Sequence, residues 1–175
     1  MNEGVLFLVQ TFFSLYIMAL VLRIWLQWAR ADFFNPLSQF VARITNPVVR
    51  PVERVIPSKG RFNLAALVIG LLVSILAIYV RVVMLGATAG IVPLLIIGVQ
   101  YFASIALQLV FWILIIRAIL SWFSQGGNPL EIVLHQLTEP LLQPVRRVIP
   151  AIGGLDLSVL VVLIGIQFLR ILIGI

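Results

Sequence analysis

The sequence predicts an all-α membrane protein: four transmembrane helices in two tandem parallel repeats, each with a cytoplasmic amphipathic broken-helix segment. Three observations lead there. The chain is 62% hydrophobic and only 10% charged, with a mean hydropathy of +1.18. A soluble domain carries charge on roughly a quarter of its residues, so water is not the main solvent. Four apolar stretches are long enough to cross a hydrocarbon core of about 30 Å, which takes about 20 helical residues. Finally, "NPVVRPVERVIP" at 46–57 returns as "EPLLQPVRRVIP" at 139–150.

The first stretch, Val5–Trp28, must be helical because the bilayer core offers no water to backbone groups. It follows Met-Asn-Glu-Gly, with no basic residue, and it is too long for a cleaved secretory signal; a retained span is expected. The second stretch is Leu64–Val80, extending to Met84, the third Ile91–Ile116 and the fourth Leu157–Ile175, which contains Arg170.

Between the first and second spans lies 35–57, and between the third and fourth lies 128–150. Pairing Asn35 with Asn128 and continuing to Val68 with Val161 gives 34 ungapped pairs, of which fifteen are identical. A one-residue shift upstream also pairs Arg23 with Arg117 and Trp28 with Trp122. Internal repetition of this kind marks one unit used twice, here 1–86 and 91–175. Each unit crosses the membrane twice, so both copies point the same way, with an expected axis along the membrane normal.

Within each copy, Asn35-Pro36 and Asn128-Pro129 read as an N-cap followed by proline in the first turn. Leu37, Phe40, Val41 and Ile44 follow at helical spacing, matched by Leu130, Val133, Leu134 and Leu137. Thr45-Asn46-Pro47 and Thr138-Glu139-Pro140 are expected to break that helix and start a shorter one. Its apolar face is Val48, Val52, Val55 and Ile56, or Leu141, Val145, Val148 and Ile149. Pro51 and Pro144 remove backbone donors inside it, and Pro57 and Pro150 close the motif. Such segments suit the cytoplasmic leaflet, with basic tips Arg50, Arg54, Arg146 and Arg147 contacting headgroups or a partner. The alternative is a re-entrant loop lining a pathway. Asn63 and Asp156 sit where a short polar acceptor caps the next span.

The net charge of +6 is unevenly placed. Arg23, Arg30, Arg43, Arg50, Arg54, Lys59, Arg61, Arg117, Arg146 and Arg147 fall on one side, and only Arg81 and Arg170 on the other. The positive-inside bias makes both long connections cytoplasmic and puts both termini outside. The basic residues suit anionic lipid; sparse and without interleaved aromatics, they give no reason to expect nucleic-acid binding.

No catalytic or metal-binding constellation can be assembled, and none is expected. There is no cysteine, one histidine (His135), and all six carboxylates lie outside the spans or at their edges. An intramembrane acid would mark a proton-coupled carrier; without one, neither that nor a membrane enzyme is expected, and no cofactor is implied. The polar residues inside the spans form matched pairs across the repeat: Gln10 with Ser104, Ser14 with Gln108 and Ser74 with Gln167. They read as interhelical glue or as a hydrophilic seam for an ion or small solute. Gly86 and Gly90 make a lone GxxxG spacing, a packing signal.

Two copies of Asn-Pro-Leu, then Thr-x-Pro, then Pro-Val-x-Arg-Val-Ile-Pro between apolar spans resemble the YggT family, also called YlmG. The likeness covers nearly the whole chain. It implies a small bacterial plasma-membrane protein with plastid relatives, a family associated with osmotic tolerance and potassium uptake, with cell division and nucleoid organisation, and with assembly of a thylakoid cytochrome complex. The first copy departs from the pattern, with Glu53 opposite Arg146 and Arg61-Phe62-Asn63 opposite Gly154-Leu155-Asp156. On that ground the second copy is the expected carrier of any binding role. Two functions of different class follow. One is a membrane organiser or assembly factor acting through the basic segments, with lipid and a membrane or cytoplasmic protein as partners and self-association left open. The other is cation or osmolyte transport along the polar seam.

Overall fold

The computed structural model describes residues 3–57, 60–123, 128–149 and 156–174, apart from the side chains of 122 and 123. Among the described residues six helices follow one another: α1 (Glu3–Trp28), α2 (Pro36–Glu53), α3 (Leu64–Met84), α4 (Ile91–Phe123), α5 (Pro129–Val148) and α6 (Leu157–Ile173). Among the described residues there is no strand. Helices α1, α3 and α4 are long and apolar enough to cross a membrane, and α6 is a shorter apolar helix of 17 residues. Their outward faces carry Phe7, Phe12, Leu72, Ile96, Trp112, Leu160 and Phe168 in the open. That surface is built for acyl chains, and the protein is a membrane protein.

The long helices pack in the series α1 on α3, α3 on α4 and α4 on α6, with α1 also touching α4. Helix α2 lies against α1 and α3, α5 against α4 and α6, and α2 meets α5. Both amphipathic helices are therefore at one end of the bundle. They share a core of Trp25, Leu26, Ala31, Val41, Ile113, Val133, Leu134 and Leu137, in which residues of both halves interlock.

Close approach of α3 and α4 depends on two glycines. A Cβ at Gly98 would lie 2.9 Å from the Ile75 Cα, and one at Gly70 would strike the Phe102 ring. Gly86 and Gly90, expected to pack helices, do not: a Cβ at Gly86 meets nothing within 4 Å, and one at Gly90 meets only Pro93. Gly86 instead ends α3. Its φ of +70° lets its own N–H reach Val83 O and that of Ala87 reach Val82 O, the paired bonds of a Schellman stop.

The amphipathic segments also differ from expectation. Neither helix breaks at Thr-x-Pro: α2 runs on through Pro47 and Pro51, and α5 through Pro140 and Pro144. The reason lies in which way each residue faces. Pro47 and Pro51 are one turn apart on the exposed edge of α2. Each missing donor orphans a carbonyl four residues back, of Arg43 or Pro47, both of which are exposed. Thr45, on the opposite edge, is fully buried, and its hydroxyl donates to Val41 O at 2.7 Å. Thr138 does the same to Leu134 O. The threonines therefore satisfy their buried hydroxyls on their own helix and do not interrupt it. Helix α4 likewise continues to Phe123, past the apolar limit at Ile116, because Arg117 changes the polarity of the helix and not its geometry.

Candidate functional site

The chemistry of this chain is concentrated where the amphipathic helices meet the ends of the long ones. Asn35 and Asn128 cap α2 and α5 as predicted, accepting from the N–H of Leu37 and Leu130 at 3.0 Å, with proline in the first turn of each helix. Asn35 also reaches the other half, its Nδ2 donating to Pro129 O at 2.6 Å. Nearby, the Asp32 N–H donates to Gln136 Oε1 at 2.9 Å. These bonds hold the starts of α2 and α5 together.

Below them are two equivalent polar ties. In the first, Arg23 of α1 donates from Nη1 to Thr45 Oγ1 at 2.9 Å and to Asn46 Oδ1 at 2.6 Å, and from Nη2 to Glu53 Oε1 at 3.3 Å. Glu53 also accepts from Asn63 Nδ2 at 2.7 Å, while Asn63 caps α3 through the N–H of Ala66. In the second, Arg117 of α4 donates to Thr138 and to Glu139, the latter at 3.3 Å. Arg146 joins Glu139 at 2.9 Å to Asp156 at 2.6 Å, and Asp156 caps α6 through the Ser158 N–H. Each tie thus links a long helix, an amphipathic helix and the start of the next long helix.

The two ties reach neutrality with different residues. The first has one arginine and one carboxylate, with Asn46 and Asn63 uncharged. The second has Arg117 and Arg146 against Glu139 and Asp156. Three repeat positions change together (Asn46 to Glu139, Glu53 to Arg146, Asn63 to Asp156), and the charge balance survives. An unpaired charge in this partly covered setting is disfavoured, and the three exchanges offset one another. Burial alone would push the Asp156 carboxyl up, but hydrogen bonds from Ser158 and Arg146 outweigh it and hold the group below the usual carboxylate range.

Arg146, expected with Arg50, Arg54 and Arg147 as a headgroup or partner contact, pairs with two carboxylates. Arg50, Arg54 and Arg147 are exposed, as is Arg43. Pro57 is exposed beyond α2, while Pro150 lies outside the described residues. His135, on the open wall of a groove of about 550 Å³ between α4 and α5, stands 3.4 Å from Glu139. The seam residues are not gathered on one line. Gln10 donates across to Ala77 O at 3.1 Å, joining α1 to α3. Ser14 and Ser74 donate within their own helices, to Thr11 O and Gly70 O. Ser104 is half-buried, and Gln108 and Gln167 face outward.

The repeated geometry has a counterpart in the comparison with known families: the model of the CCB3/YggT family matches residues 2–84 and again 96–175. The chain belongs to the CCB3/YggT family. An uncharacterised protein from the proC 3′ region of Vibrio alginolyticus is 51% identical over 170 residues, covering 96% of this chain and 92% of that one. The uncharacterised protein YggT of Escherichia coli K12 is 42% identical over 159 residues, covering 90% and 82%. An uncharacterised protein of Pseudomonas aeruginosa is 38% identical over 176 residues, covering 99% and 89%. No solved structure matches. Each CCB3/YggT match contains one complete tie, Arg23 to Asn63 in the first and Arg117 to Asp156 in the second. The pairing of Arg23 with Arg117 in the repeat, together with the identical threonines Thr45 and Thr138, is the sequence signal of the ties.

Proposed function

We propose that this CCB3/YggT protein organises the bacterial plasma membrane through its amphipathic helices. Helix α6 crosses as a fourth span, both termini face outside, and α2 and α5 lie on the cytoplasmic face, where the positive-inside bias puts basic connections. The observation that carries the reading is the division of labour among the arginines. Arg23, Arg117 and Arg146 are consumed by the ties, whereas Arg43, Arg50, Arg54 and Arg147 point outward with no carboxylate partner among the described residues. Outward-facing cations at the end of an apolar bundle suit anionic headgroups or an acidic partner surface. Rigid ties hold them in place, and no enzymatic step is assigned.

The test is purified protein in sealed liposomes under imposed potassium and sodium gradients. An organiser gives the flux of empty liposomes. Flux above that level, lowered by Gln108→Leu or Ser104→Leu, would replace this reading with a cation or osmolyte pathway.

A further inference from the structure

Helices α2 and α5 descend from one repeated segment, yet the fold uses them differently. On α2, at about 100° per residue, Ser38, Val41, Thr45 and Val49 form the buried edge against the bundle. Opposite that edge lie the exposed Arg43, Arg50 and Arg54. To one side of it lie Phe40, Ile44 and Val48, 60%, 39% and 44% exposed. A helix with one edge buried, an apolar flank beside it and a basic outer face lies alongside the bundle. It sits at a depth where the apolar flank meets acyl chains and the basic face meets headgroups.

On α5 the apolar flank is covered and the basic face is reduced. Val133 and Leu137, at the positions of Phe40 and Ile44, are fully buried against Trp25, Leu26 and Ala31 of the first half. Gln136 and Gln143 stand where α2 has Arg43 and Arg50, leaving only Arg147 of the three. Gln136 is moreover turned to the Asp32 backbone. The one carboxylate of α2, Glu53, is occupied by Arg23 and Asn63.

We infer that α2, alone of the two amphipathic helices, is an anionic-phospholipid site. Acyl chains lie against Phe40, Ile44 and Val48, and lipid phosphates pair with Arg43, Arg50 and Arg54. This reverses the sequence-based expectation that the second copy carries binding, and it rests on the reading of α2 as an interfacial helix.

The chain has no cysteine, so a single one introduced by Ile44→Cys can be labelled with a fluorophore. The full chain is placed in phosphatidylcholine–phosphatidylglycerol nanodiscs with a nitroxide quencher on one or the other lipid. Leu160→Cys, on the outward face of α6, is the reference and should respond equally to both quenchers. At position 44, quenching by phosphatidylglycerol-borne nitroxide should be about threefold stronger than by the phosphatidylcholine-borne label, since each arginine near the surface contributes appreciably to anionic-lipid attraction. The excess should vanish with Arg43→Gln/Arg50→Gln/Arg54→Gln while position 160 is unchanged. Equal quenching by both lipids, or an excess that survives the triple substitution, overturns the anionic site and leaves α2 interfacial. No quenching by either lipid overturns both, because α2 is then covered by protein.

Discussion

Arg23 on α1 and Thr45 on α2 stand 2.9 Å apart, guanidinium to hydroxyl, and one repeat later Arg117 and Thr138 form the same pair. Each threonine donates to its own helix while accepting from the arginine of a membrane helix. The buried threonine that bonds within the amphipathic helix is therefore also its anchor. The first expected outcome concerns that anchor. Arg23→Gln leaves Glu53 short of a partner and should cost about 2–3 kcal/mol, toward the lower end for a partly buried pair. A cycle with Glu53→Gln, read from unfolding midpoints in detergent, should give a coupling of about 1 kcal/mol or more.

Compensation between the ties gives a sharper test. Glu53→Arg puts a second arginine beside Arg23 with no carboxylate and should destabilise the fold by about 3 kcal/mol. Adding Asn46→Glu and Asn63→Asp reproduces the second tie within the first and should restore at least half of the loss. A triple variant no more stable than the single one would show that the ties are not interchangeable.

Acid should act on the second tie. A carboxylate whose pKa is lower in the folded state stabilises the fold above the unfolded value of about 3.9. That contribution is lost as pH falls through the folded value. Asp156 is held low by Ser158 and Arg146, so wild-type stability should fall between about pH 4 and lower values. Asp156→Asn should be less stable at pH 7 and should lose part of that acid limb in midpoints measured against pH.

The glycine contacts separate packing from composition. Gly98→Ala drives a Cβ to 2.9 Å from the Ile75 Cα and should cost about 1–3 kcal/mol through overpacking. Gly165→Ala meets nothing within 4 Å and should be neutral or stabilising by up to about 1 kcal/mol, as alanine is the better helix former. Thermal unfolding of the two variants side by side checks the contrast.

The two helix caps should likewise be unequal. Asn128→Ala removes a cap and should cost about 1 kcal/mol. Asn35→Ala also removes the bond to Pro129 O and should cost about twice that, since a hydrogen bond between the halves is lost together with the cap. Equal losses in denaturant titrations would mean that this bond contributes nothing to joining them.

The membrane class, the all-helical build, both proline-supported N-caps and the caps at Asn63 and Asp156 were legible in the chain. Hydropathy, turn chemistry and repetition are local properties that survive in a one-dimensional record. The continuity of α2 and α5 was not legible, because a proline's cost depends on whether the carbonyl it orphans faces solvent or protein. Nor was the role of Arg146: an arginine at the tip of a basic segment reads as free until the fold brings Glu139 and Asp156 to it from opposite directions. Glu53 and Asn63 read as departures of the first copy from the pattern, and only their convergence with Asn46 on one tie shows the three as a balanced set. Sequence by itself determined which solvent this protein lives in and that it is built twice. Tertiary structure decided that the two copies are not equivalent, because packing α5 into the shared core buries the flank that α2 leaves open.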